Sequence, residues 1–199
     1  MNLQRFFWPF FAGLILAVIA GFLWLVVIPQ FGLISDSRSN TGASIRNASG
    51  DVLIPSEERT EAPAFRIQTA SFGDGKIFDL ATADGDVVVI FFMASWCTTC
   101  VPEARALKEL HASYRKRGLQ VLVVDIDPRS TERALARFRA IANKGEYLWA
   151  LDTQQTIVRS YGVRTLDATI IIDREGRIAY RDAFPTGFER LDDAVRGLI

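Results

Sequence analysis

The stretch Trp96-Cys97-Thr98-Thr99-Cys100 holds the only two cysteines of the chain, with two residues between them. An unbroken apolar run, Val87-Val88-Val89-Ile90-Phe91-Phe92, leads into it, and residues 101–117 after it read as a helix. A short run without polar alternation predicts a central strand covered on both faces. The fold must therefore deliver a cysteine pair from the end of a buried strand to the start of a helix. That is the geometry of a dithiol–disulfide switch. Unpaired N–H groups and the positive end of the helix dipole stabilise a thiolate at the first sulfur. The second cysteine, one turn along, can attack a mixed disulfide and release the partner. A static staple is the alternative, but so short a loop constrains the unfolded chain least.

A second feature concerns where this chemistry takes place. Residues 6–28 are apolar and uncharged, interrupted only by Pro9 and two glycines. At about 1.5 Å per residue this run is long enough to cross a hydrocarbon core of about 30 Å. A cleaved signal peptide is the competing reading, yet its best cleavage site, Val18-Ile19-Ala20, is followed by more hydrophobic sequence. The expectation is a retained transmembrane anchor over residues 1–29, with Trp8 and Trp24 as interfacial residues. Arg5 before the span, against an uncharged stretch after it, favours a cytoplasmic N-terminus and a domain on the extracytoplasmic side of the cell membrane. Two cysteines in one motif, with none spare to mispair, suit that compartment.

Residues 30–61 are polar and turn-rich and read as a flexible linker with an end-to-end distance of about 30 Å. Residues 62–199 remain for a single domain. Lys and Arg total 23, matching 23 Asp and Glu, and no basic cluster occurs. Nucleic-acid binding, which needs a positive face, is therefore not expected.

Within the domain, Phe65-Arg66-Ile67-Gln68-Thr69 and Lys76-Ile77-Phe78-Asp79-Leu80 alternate as a hairpin. The helix after the cysteines carries Leu107, Leu110, His111 and Tyr114 on one stripe and stops at Gly118. Residues 119–124 form another buried strand. Ser130 is positioned to cap a helix whose Leu135, Phe138, Ile141 and Ala142 share a face. A short strand over residues 147–151, a short helix over 153–161 and strands over 168–172 and 177–180 follow. A closing helix aligns Phe188, Leu191, Val195 and Leu198. The fold class is α/β: a mixed central sheet with helices on both faces.

This order, with W-C-x-x-C at the end of the central strand, resembles the thioredoxin-like superfamily, and within it the membrane-anchored thiol–disulfide oxidoreductases of the TlpA/ResA/CcmG type. The resemblance is carried by Ala62-Pro63-Ala64-Phe65, Phe92-Met93-Ala94-Ser95-Trp96-Cys97, Cys100-Val101-Pro102-Glu103, Tyr161-Gly162-Val163 and Ile172-Asp173-Arg174-Glu175-Gly176-Arg177-Ile178. It implies an extracytoplasmic, monomeric reductant of protein disulfides that needs no cofactor. It also implies a membrane electron donor of the CcdA/DsbD type, and cytochrome c biogenesis as one setting. Cys97 would be the exposed nucleophile and Cys100 the resolving thiol. Glu103 would serve the buried sulfur as proton acceptor, or else be a favourable acid in a helix's first turn. Trp96 would shield the disulfide and orient partners, with plain packing as its alternative.

At one place the chain departs from the resemblance. Where relatives carry a cis-proline opposite the cysteines, this sequence has Asp167, preceded by Leu166, and Thr165 stands where glycine is usual. A non-proline cis bond costs about 3–4 kcal/mol, so the Leu166–Asp167 bond is expected to be trans and the substrate-binding loop rebuilt. An Asp167 that faced Cys97 would raise its thiol pKa; one that faced solvent would be a turn residue.

Three rival readings remain. A Sco-like copper-binding or delivery module would use a cysteine pair and a histidine. Its cysteines have three residues between them, and the single histidine here, His111, lies about 16 Å along the helix from the pair. A peroxidase of the same fold would have a threonine three residues before its reactive cysteine, where this chain has Ala94. A redox-inactive binding module would keep the motif without the chemistry.

Overall fold

The computed structural model describes residues 53–83 and 85–199. The expected span over residues 6–28 lies outside the described residues. Among those described, no helix is long and apolar enough to cross a membrane.

A five-stranded sheet carries the fold. Its strands are β3 (Val87–Met93), β4 (Leu119–Asp125), β5 (Leu148–Leu151), β6 (Ala168–Ile172) and β7 (Ile178–Arg181), in the order β5-β4-β3-β6-β7. β3 pairs parallel with β4 and antiparallel with β6, so it is central and all seven of its side chains are buried. Its residues divide by parity. Val87, Val89, Phe91 and Met93 pack with helices α1 (Cys100–Tyr114), α2 (Glu132–Ile141) and α4 (Phe188–Arg196) on one face. Val88, Ile90 and Phe92 pack on the other with helix α3 (Thr156–Ser160) and a separate antiparallel hairpin, β1 (Arg66–Gln68) and β2 (Ile77–Asp79). Each such side chain contributes about 1.5–3 kcal/mol relative to exposure. This two-sided burial is why the sequence shows an apolar run rather than an alternation.

α1 ends in a single 3-10 turn at Gly118, whose φ of +88° favours a residue without Cβ. Tyr114 Oη donates to Asp192 Oδ1 at 2.6 Å and joins α1 to α4. α2 departs from expectation at two points. Its N-cap is Thr131, which accepts from the Ala134 amide, because the Ser130 hydroxyl is drawn away to Asp125 Oδ2 at 2.7 Å. Ile141, placed on the buried face by periodicity, is exposed at the helix end, while Leu135, Phe138 and Ala142 are covered.

The packed chain also starts earlier than Ala62. Ile54 N donates to Ala179 O at 2.7 Å, and Ile178 N donates to Thr60 O at 2.8 Å. Arg59 reaches the buried Asp173 at 3.1 Å. Residues 53–61, placed in the linker from composition, are docked along β7 and the turn before it.

Candidate active site

β3 and β4 end side by side, and the loop after β3 is held by the last residue of β4. Asp125 is fully buried and accepts from Ser95 N at 3.0 Å, Ser130 Oγ at 2.7 Å and Asp127 N at 3.1 Å, as well as from Ser95 Oγ. Two loops are thus tied to one carboxylate, as a buried charged acceptor requires. The sequence reading passed over Asp125; its signal was an acid closing an otherwise apolar strand, Leu119–Asp125. Next to it, Trp96 is 65% exposed and donates Nε1–H to Asp127 Oδ2 at 2.7 Å. That contact, with the Arg129 backbone amide contributing most, holds the Asp127 carboxyl below its ordinary range. Trp96 therefore projects beside the cysteines as an apolar surface with its polar edge fixed.

Cys97 and Cys100 form a disulfide with Cα atoms 5.5 Å apart. Cys100 is the first residue of α1 and fully buried, whereas Cys97, on the turn before it, keeps 5% of its surface. Cys97 is the less covered of the two, though it is buried rather than the expected exposed nucleophile.

Asp167 sits across from the pair. The Leu166–Asp167 bond is trans, no cis peptide occurring among the described residues, and Asp167 takes a φ of +57°, a left-handed conformation that Asp tolerates. Its side chain turns inward and is buried. Oδ2 lies 3.8 Å from Cys97 Sγ and accepts from Thr99 Oγ1 at 2.8 Å, while Thr99 Oγ1 is itself 3.3 Å from Cys97 Sγ. Asp167 Oδ1 is buried with no partner. Leu166, half-buried, packs against the core cluster that includes both cysteines.

Glu103 lies one turn beyond Cys100 on α1 and is buried. Its Oε1 accepts from Thr169 Oγ1 at 2.5 Å and its Oε2 from Thr186 N at 2.8 Å. Burial outweighs these bonds and pushes its pKa up to about 8, with the charges of Asp182 and Asp167 adding to the rise. Thr169 N and Thr186 Oγ1 also donate to Asp182, at 2.8 and 2.6 Å, so the two threonines bridge two buried carboxylates. Burial raises the Asp182 pKa as well. Thr169, Thr186 and Asp182 were not singled out from sequence. They lie 66 to 83 positions from Glu103 or bind it only through these bridges, and nothing local marks them.

Among the described residues, Cys97, Cys100 and Asp167 are the group whose ligand atoms approach closely enough to share a metal ion, all within 4.8 Å. His111 belongs elsewhere. It is half-buried, edge-on to Tyr147 at 6.1 Å, and its pKa is lowered chiefly by burial.

Residues 59–181 match the family model described as AhpC/TSA family. The thiol-disulfide oxidoreductase ResA of Bacillus thuringiensis (strain Al Hakam) is 29% identical over 119 residues, covering 59% of this chain and 65% of ResA. The thioredoxin-like protein YneN of Bacillus subtilis is 29% identical over 123 residues, covering 61% of this chain and 69% of YneN. Among solved structures, a Chlorobium tepidum protein described as a thiol:disulfide interchange protein DsbE superposes with a TM-score of 0.62. It is 25% identical, and the match covers 70% of this chain and 96% of that one. The fold is thioredoxin-like. The matched stretch spans about 65% of the length of the ResA relatives.

Proposed function

The chain belongs to the AhpC/TSA family, and from that footing we propose that it is a thiol–disulfide oxidoreductase that reduces protein disulfides. The observation that carries the reading is the Cys97–Cys100 disulfide at the start of α1, with Cys100 fully buried and Cys97 keeping a small share of its surface. In the reduced chain, Cys97 thiolate attacks a substrate disulfide and expels one substrate thiolate. Cys100, having lost its proton, then attacks Cys97 Sγ, expels the second thiolate and re-forms the disulfide. Two electrons pass to the substrate. Glu103 lies on the same face of α1 as Cys100, and with a pKa near 8 it keeps a minor ionised fraction at neutral pH that can take the Cys100 proton. Trp96 offers an incoming polypeptide a flat apolar contact beside Cys97.

The same proposal places the domain on the extracytoplasmic side of the cell membrane, tethered by residues 1–29. Its electrons come from a CcdA/DsbD-type membrane donor, and apocytochrome c cysteines are among its substrates. The apolar run at 6–28, the cysteine usage and the resemblance to ResA support that placement. Ala94, where the peroxidase pattern needs a hydroxyl, weighs against peroxide chemistry.

The test is the reduction potential of Cys97–Cys100 in the full chain, equilibrated with thiol redox buffers and read by alkylation. A value near or below about −230 to −270 mV supports a reductant. A value near about −120 mV marks an oxidant and overturns the direction of electron flow. The absence of any reversible disulfide overturns the enzyme reading.

A further inference from the structure

Asp167 presents a buried carboxyl group with one oxygen unpaired and the other accepting from a threonine hydroxyl, 3.8 Å from a disulfide sulfur. A buried, half-satisfied carboxylate costs free energy, so what completes it bears on its purpose. In the oxidised chain the disulfide offers it nothing beyond the 3.8 Å approach of Cys97 Sγ. Reduction changes the chemistry of the pocket. The S–S bond becomes two thiols, which with one carboxyl group lie within a few ångströms on buried residues and can give up their protons to a metal ion.

We propose that the reduced chain binds one zinc ion through Cys97 Sγ, Cys100 Sγ and the Asp167 carboxylate. Tetrahedral zinc with bonds of about 2.3 Å to sulfur and about 2.0–2.2 Å to oxygen sets S···O at about 3.5–3.7 Å and S···S at about 3.8 Å. The observed Cys97 Sγ–Asp167 Oδ2 distance of 3.8 Å already meets the first requirement closely. The second is met when the sulfurs, released from their bond, move apart to van der Waals separation. Thr99 Oγ1, 2.8 Å from Asp167 Oδ2, holds the carboxylate in place, as partners outside a metal's own ligands do. Two thiolates and one carboxylate make a borderline donor set that suits zinc. The fourth tetrahedral position is left to water. Binding balances as two thiols and one zinc ion giving the dithiolate complex and two protons. The bound ion occupies the electron pairs that Cys97 and Cys100 would use in exchange, so it holds the dithiol reduced and silent until it is withdrawn. The site rests on these three side chains and not on the direction of exchange proposed above.

The experiment uses the full chain, reduced with a small dithiol that is then removed, and zinc salt alone as the probe. Equilibrium dialysis should give one zinc per reduced chain and none per oxidised chain. Infrared difference spectra should show a carboxylate stretch that shifts on zinc addition and is lost in Asp167→Asn. The oxidised wild-type chain is a control that owes nothing to the folding of a variant, and Cys100→Ser should lose the bound zinc. Zinc retained by the oxidised chain, zinc bound to the reduced chain without the Asp167 carboxylate signal, or no binding to the reduced chain each overturns the proposal. Exchange activity of the metal-free chain is read separately, so failure of one reading leaves the other distinguishable.

Discussion

Replacing Glu103 with Gln tests the buried carboxylate directly. The folded pKa of about 8 stands above an ordinary value of 4.5, and the displacement corresponds to about 5 kcal/mol as an order of magnitude. The sign follows from proton counting. Between those two values the unfolded chain has given up a proton that the folded chain still holds, so stability falls as pH rises. The contribution is fully present below about pH 4.5 and is lost progressively up to about pH 8. Gln keeps the shape and copies the protonated carboxyl: its oxygen can accept from Thr186 N while its amide donates to Thr169 Oγ1. At pH 5, where folded wild-type Glu103 is protonated, the variant is therefore expected to match wild type to within about 1 kcal/mol. It should then gain on wild type by about 1.4 kcal/mol per pH unit up to about pH 8. Guanidinium unfolding of the oxidised full chain at pH 5, 7 and 9 measures this difference. Stability curves that run parallel across that range would refute the argument.

Asp125→Ala leaves Ser95 N, Ser130 Oγ and Asp127 N without their acceptor and should cost about 2–4 kcal/mol by denaturant melts, with disulfide exchange slowed because the turn before Cys97 loosens. Asp167→Asn should lower the Cys97 thiol pKa in the reduced, metal-free chain by about 1–3 units, read from the pH dependence of alkylation. An unchanged titration would show that the carboxylate carries no charge where it faces the sulfur.

What the sequence disclosed, and what it hid, divides along a physical line. β3 was legible because burial on both faces leaves an unbroken apolar run, and α1 because one buried stripe repeats at helical spacing. The switch position of Cys97 and Cys100 follows from that local order alone. Docking of residues 53–61 was not legible. It rests on backbone pairing at Ile54 and Thr60 and on one ion pair to Asp173, none of which imposes a periodicity. The cap of α2 was decided between neighbours, Ser130 and Thr131, by a carboxylate on another element that captured the first. Asp167 was legible as an anomaly, an acid where the resembling family has proline. Only the backbone at φ +57° shows that it turns inward.

The charges around the two sulfurs favour a reductant. The N-terminus of α1 favours a thiolate at Cys97 by about 0.3–1 kcal/mol, and up to about 2 in partly buried geometry. An ionised carboxylate at 3.8 Å opposes it by about 4 kcal/mol at an effective dielectric near 20. The repulsion is the larger of the two, so a charged Asp167 works against a thiolate at Cys97. Behind Cys100, Glu103 and Asp182 resist further negative charge, since burial already raises the pKa of both. A strong oxidant of this fold works the other way: its reduced form is stabilised, and its thiolate is made easily. On the proposed reading, thiolates that form with difficulty leave the reduced state little stabilised, and it gives up its electrons readily. The cost is slow attack at neutral pH, because few molecules carry the nucleophile at any moment. A cation in the pocket removes the obstacle of charge and the freedom to react together, since the carboxylate that repels a thiolate attracts a zinc ion. On the readings proposed above, one buried aspartate, where the resembling family has proline, bears on both the direction of electron transfer and the chemistry that competes with it.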